Sequence, residues 1–136
     1  MRLTYIHNAR IPGFQANSVQ VIKTCEALAK KGVDLTLIIP KMKKMKELPD
    51  ENIWKYYNLK KRFKFIKLPT LDLLWFFNKK TYSKKFLVLR YYIQNFTFAI
   101  SCFIYLLFTK KEIIYTRDFN FVLSLICFFK KRFCKK

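Results

Sequence analysis

Apolar positions recur along this chain with two distinct periods, and their alternation lays out most of an architecture. Residues 3–7 form a short β-prone run. A loop over 8–16 follows, holding the turn pair Pro12-Gly13. Val21, Ile22, Cys25, Leu28 and Ala29 then fall at helical spacing against Lys23, Lys30 and Lys31, which predicts an amphipathic helix. Asn17 or Ser18 is placed to cap it, and with Asn17 as the cap Gln20 sits where a capping box reaches back. Gly32 supplies the left-handed residue that ends the helix. Residues 33–39 are near-continuously apolar, a second strand stopped by Pro40. Such an unbroken apolar strand, joined to the first through a helix, predicts a parallel sheet with helices on both faces.

Further along, 41–50 is a charged connector with four Lys, and 51–58 is compatible with a short helix. Residues 63–68 alternate Phe63, Phe65 and Leu68 with Lys64 and Lys67 before Pro69. That pattern predicts a third strand towards an edge, where lysines discourage unwanted pairing. A long helix is expected over 84–108, a fourth strand over 112–116, and a final helix over 120–132 before a basic tail. If the fourth strand lies beside the first, its far edge is open. Within 91–108 the uninterrupted apolar part, 96–108, is thirteen residues. About twenty are needed to span a bilayer, so a buried helix between the sheet and its neighbours is expected. The flanking Arg90 and Lys110-Lys111 keep a membrane crossing as the alternative.

Composition changes this picture in one respect. The chain has 136 residues, 52% of them apolar, which excludes a disordered or collagen-like polymer. Yet 28 Lys and Arg oppose 8 Asp and Glu, a net charge of +20. Residues 41–90 alone carry +11, interleaved with Trp54, Trp75, Phe76 and Phe77, which suits an anionic membrane surface. Nucleic acid would also attract such a cation, but no RNP, zinc-finger or helix-turn-helix signature is present, and Lys outnumbers Arg. Nucleic acid is therefore not an expected partner. Cys25, Cys102, Cys127 and Cys134 form no CxxC pair and lie far from the single His7, so no metal site is expected. They read as reduced thiols of a cytoplasmic protein.

In an open parallel sheet, ligands bind beyond the carboxyl ends of the strands. That rule selects His7, Asn8 and Arg10 after the first strand, Lys41 after the second, and Tyr115, Thr116, Arg117 and Asp118 after the fourth. The start of the first helix near Ser18 adds backbone N–H groups that suit an anion. No GxGxxG follows the first strand, and neither a P-loop nor a GxSxG elbow occurs, which removes the nicotinamide, P-loop and serine-hydrolase readings. His7 and Asp118 are the only acid/base candidates, and each has an equally plain structural role.

Arg10-Ile11-Pro12, Ala16-Asn17-Ser18-Val19-Gln20-Val21, Lys23, Cys25-Glu26-Ala27-Leu28-Ala29 and Gly32 together resemble the start of a family 4 glycosyltransferase of the GT-B fold. Tyr115-Thr116-Arg117 is similar to the Tyr-Thr-Arg that closes a later strand in one subgroup. The resemblance implies a Rossmann-like, acceptor-side domain over 1–136, forming an incomplete amino-terminal half of the fold. It further implies a nucleotide-sugar donor as substrate rather than a resident cofactor, and a glycan or lipid-linked acceptor. Arg10, Gly13, Asn17, Ser18 and Arg117 are the implied donor- or acceptor-binding residues. The paired glutamates of the family's donor half have no counterpart among Glu26, Glu47, Glu51 and Glu112. The expectation is a truncated or split reading frame, or else one component that needs a partner chain for the carboxyl-terminal half, inactive alone and cytoplasmic, with a peripheral position on the inner face of a membrane. The alternatives are a small basic membrane-associated protein and a nucleic-acid binder.

Overall fold

The computed structural model of the chain describes residues 1–13, 15–42, 52–71, 84–109 and 113–117. Their order is β1 (Arg2–Ile6), α1 (Ala16–Lys30), β2 (Asp34–Lys41), α2 (Ile53–Tyr56), β3 (Lys64–Pro69), α3 (Lys84–Leu107) and β4 (Ile113–Thr116). The four strands form one sheet in the order β3-β2-β1-β4. All pairings are parallel: Leu3 lies beside Leu35 and Ile113, and Ile38 beside Ile66. The fold is α/β and Rossmann-like, as the apolar β2 predicts. The expected helix over 120–132 lies outside the described residues.

Alternation along each strand sends side chains to opposite faces, and each face builds its own core. On one, Leu3, Tyr5, Leu35, Leu37 and Ile39 meet Val21, Ile22 and Cys25 of α1, with Tyr57 closing the side near β3. On the other, Ile6, Ile38 and Leu68 meet Phe98, Ala99, Cys102 and Leu106 of α3. A side chain as fully buried as Ile38 contributes about 1.5–3 kcal/mol over leaving it in water. The edge strand β3 keeps Lys64 and Lys67 exposed, as its alternating lysines predict.

Three expectations need correction. The first helix begins at Ala16, with Gln15 at the cap and no side-chain cap bond. The Ser18 hydroxyl instead donates to the Arg10 carbonyl at 3.3 Å, so the loop takes the group that would have capped the helix. Second, β2 does not stop at Pro40 but runs through it to Lys41. Ile38 accepts from the His7 N–H on the β1 side, so Pro40, two residues on, faces the same side. There β1 has already ended, and the missing N–H removes no ladder bond.

Third, α3 spans the expected helix but is not buried on all sides. Phe96, Ile100, Ile104 and Leu107 are exposed, because the sheet covers one side of the helix only. Its 85–107 portion is long and apolar enough to cross a membrane by length and composition. The carboxyl end of α1 follows the sequence reading more closely. Gly32 adopts φ +81° and donates to Ala29, and Val33 donates to Leu28, which completes the carboxyl-terminal cap of α1.

Candidate functional site

In this strand order the chain runs from β1 to β2 and β3 on one side and reaches β4 on the other. The carboxyl ends of β1 and β4 therefore flank the crevice that doubly wound sheets use for ligands. The loop leaving β1 and the first turn of α1 stand on one side of it, and Arg117 stands on the other.

The loop is held by backbone bonds that depend on residue type. A Cβ on Gly13 would lie 2.6 Å from the Arg10 carbonyl oxygen, a distance no side chain tolerates. The Tyr57 hydroxyl accepts from the Gly13 N–H at 2.8 Å and donates to the Gly13 carbonyl at 2.9 Å. Tyr57 is itself anchored, its carbonyl accepting from Lys23 Nζ of α1 at 2.9 Å. The Ile11–Pro12 peptide is cis. Ser18 closes the turn through Arg10, as described above. The loop is thus a fixed feature joined to both α1 and the segment that follows α2.

Arg117 crosses from β4 to α1. Its Nη1 donates to Gln20 Oε1 at 3.0 Å, and its charge acts on the nearby Tyr5 hydroxyl. Burial, reinforced by the neighbouring Tyr115, pushes the Tyr5 hydroxyl up to about 12, against the opposing pull of Arg117. Tyr5 and Tyr115 meet edge to face at 4.8 Å. Tyr5 is therefore a neutral hydrogen-bonding group at neutral pH, and the guanidinium stands at the mouth as an exposed positive charge.

The other flank of the crevice is polar. Asn8 donates to Asn95 of α3, while Gln94 Nε2 donates to Asn8 Oδ1 at 3.4 Å. Thr70, just past β3, bonds the Gln94 carbonyl at 3.2 Å and Thr97 at 3.1 Å. These amides and hydroxyls bring α3 level with the carboxyl ends of the strands.

The residues nominated from sequence divide accordingly. Arg10 and Gly13 lie in the loop, Asn17 and Ser18 on the first turn of α1, Asn17 exposed and Ser18 bonded to Arg10, and Arg117 reaches that same helix. His7 is buried, 1% exposed, with its ring 6.2 Å from Tyr5, and lies behind the rim rather than in it. Asp118 lies outside the described residues. Tyr57, Gln94 and Asn95 were not singled out from sequence. The signal for the amides was their interruption of an otherwise apolar helix, whereas nothing local marks Tyr57. Gln20, a capping residue by its spacing, instead accepts from Arg117.

A cavity of about 470 Å³ lies at the opposite, amino-terminal edge of the sheet, lined by Gly32, Asp34, Lys61, Arg62, Phe63 and Lys64 among others, and shares no residue with the rim. Among the described residues no three His, Cys, Asp or Glu side chains gather as a metal site. Burial pushes the Cys25 thiol up to about 12, so it is an inert core group rather than a nucleophile. No protein-family model, curated protein sequence or solved structure matches the chain.

Proposed function

We propose that this chain is the amino-terminal, acceptor-side half of a GT-B glycosyltransferase resembling family 4. It acts together with a donor-binding half in transferring a sugar from a nucleotide-sugar to a glycan or lipid-linked acceptor. The observation that carries the reading is the meeting of Arg117 with Gln20 on α1, beside the loop held by Gly13 and Ser18. Sugar transfer builds negative charge on a departing nucleoside diphosphate. Arg117 and the amides at the start of α1 have the sign to stabilise it, and Arg10 adds a positive charge in the neighbouring loop. The amide flank of Asn8 and Gln94 offers donors and acceptors of the kind that sugar hydroxyls require. No acid/base residue is assigned, since His7 is buried behind the rim. The site of action is the cytoplasmic face of a membrane, where lipid-linked acceptors are presented.

The test is a nuclear magnetic resonance titration of the full chain with a nucleoside diphosphate. The expected result is shifts at the amides of 10–18 that are lost in Arg117→Ala. Shifts confined to the amino-terminal edge near Lys61–Lys64, or none at the loop, would overturn the reading.

A further inference from the structure

The cavity of about 470 Å³ at the amino-terminal edge of the sheet lies where two neighbouring strands start at different levels. The register sets Thr36 beside Lys64, so β2, which begins at Asp34, starts two residues ahead of β3. Before Lys64 the chain is held by α1 instead of by a strand. The Lys60 N–H donates to Glu26 Oε1 at 2.7 Å, and Glu26 is buried. The space left between is floored by Ala29, Leu35 and Phe63, and the half-buried Phe63 ring meets Trp54 edge to face at 5.0 Å.

Lys61, Arg62 and Lys64 form the wall of this cavity, and all three are exposed. Among the described residues none of them has a carboxylate partner. Glu26 is taken by Lys60, Lys23 and Lys30, and Asp34, the one acid of the lining, has Arg2 at 3.7 Å. Cations gathered along one concave wall repel one another, and an anion relieves them. The carboxyl end of α1 also borders the cavity and carries a partial negative charge that opposes an anion. Its last carbonyls already accept from the N–H groups of Lys31, Gly32 and Val33, and Lys30 lies in its last turn, so the three cations prevail.

Wall and floor suit different parts of one ligand. A guanidinium with two ammonium groups matches phosphate oxygens. The Phe63 ring and its apolar neighbours match a flat ring. The volume falls in the range of small-molecule pockets and accommodates both parts together. A bare phosphate leaves the apolar floor in water, and an uncharged ring leaves the cations unpaired. We propose that the cavity binds a nucleoside phosphate, with the base against Phe63 and the phosphate among Lys61, Arg62 and Lys64. It shares no residue with the rim, so the proposal stands apart from the transferase reading and does not need it.

The test is a nuclear magnetic resonance titration of the full chain with adenosine monophosphate, adenosine and inorganic phosphate in parallel. The nucleotide shifts the amides of 32–35 and 61–64. It binds about fivefold or more tighter than phosphate or adenosine, since each lacks contacts worth at least that much. Lys61→Gln with Arg62→Gln weakens nucleotide binding about tenfold or more, as charge-assisted contacts are lost, and both side chains are exposed, so the fold is kept. Lys85→Gln with Arg90→Gln removes the same charge from α3 and leaves the affinity unchanged. Phe63→Leu, which keeps the floor apolar, lowers nucleotide affinity to that of phosphate. Phosphate binding as tightly as the nucleotide overturns the proposal, because the wall then holds an adventitious ion only. Equal losses in the two charge-removing pairs overturn it as well, since net charge alone then explains the binding. So does a single-stranded oligonucleotide that shifts 61–64 where the nucleotide does not, which assigns the wall to nucleic acid.

Discussion

One hydroxyl, on Tyr57, binds both backbone groups of Gly13, taking the N–H at 2.8 Å and giving its own proton to the carbonyl at 2.9 Å. The two residues are 44 positions apart, so the shape of the loop after β1 is set by a segment that follows β2. In Tyr57→Phe both groups lose their partner while the ring keeps its packing. The expected loss is about 1–3 kcal/mol in a urea melt. The Gly13 amide should exchange faster, whereas those of β1 should not.

Gly13 and Gly32 are sensitive to substitution for different reasons, and an alanine at each separates them. Gly13→Ala forces the Arg10 carbonyl away from a Cβ at 2.6 Å and is expected to cost about 1–3 kcal/mol as an overpacking change. Gly32→Ala meets nothing within 4 Å, and only its φ of +81° opposes the side chain. It should cost about 1–2 kcal/mol, the left-handed penalty alone. Gly32→Asn, which tolerates that region, recovers part of the loss, and Gly13→Asn recovers none. Thermal melting of the four variants distinguishes the two causes.

Acid weakens one identifiable tie. The Lys60 N–H donates to Glu26 Oε1 at 2.7 Å, and Lys30 lies at 3.1 Å. These groups hold the carboxyl at about 2, below its ordinary 4.5, against the opposite effect of burial. A depressed folded value means that the contribution is fully present above pH 4.5 and disappears as pH falls towards 2. Urea midpoints across that window should fall more steeply for the wild type than for Glu26→Gln. Above it, the wild type should be the more stable of the two.

Arg117 is expected to couple to Gln20 across the crevice. A double-mutant cycle of Arg117→Ala and Gln20→Ala should return about 0.5–1.5 kcal/mol, the range of a single net hydrogen bond. Arg117→Lys should lose most of that coupling, because an ammonium lacks the planar fork that presents Nη1 to Gln20. A cycle indistinguishable from zero would mean that the bond carries no weight in solution.

Much of the first unit was legible because local signals agreed with one another. The spacing of Val21, Ile22 and Cys25 marked the buried side of α1, Gly32 marked its end, and the lysines of β3 marked an edge. The rim could be located from strand ends alone. The misread positions are ones where a distant group outcompetes a neighbour. Ser18 looks like a cap until the Arg10 carbonyl claims it, and Pro40 looks like a stop until β1 is seen to end first. Tyr57, Gln94 and Asn95 act on partners far along the chain, which periodicity does not reveal. Apolar content likewise identified α3 without saying how much of it the sheet would cover.

The place of β4 beside β1 has a cost during synthesis. The strand made first is interior to the sheet, and it waits for Ile113–Thr116, the last of the four to leave the ribosome. Meanwhile β1 can pair with β2 and β3, but its other side offers bare amide and carbonyl groups to any passing polypeptide. The nascent chain is thus at greatest risk of misassembly through its oldest strand, and a chaperone acting on it has most to shield at Leu3–Ile6.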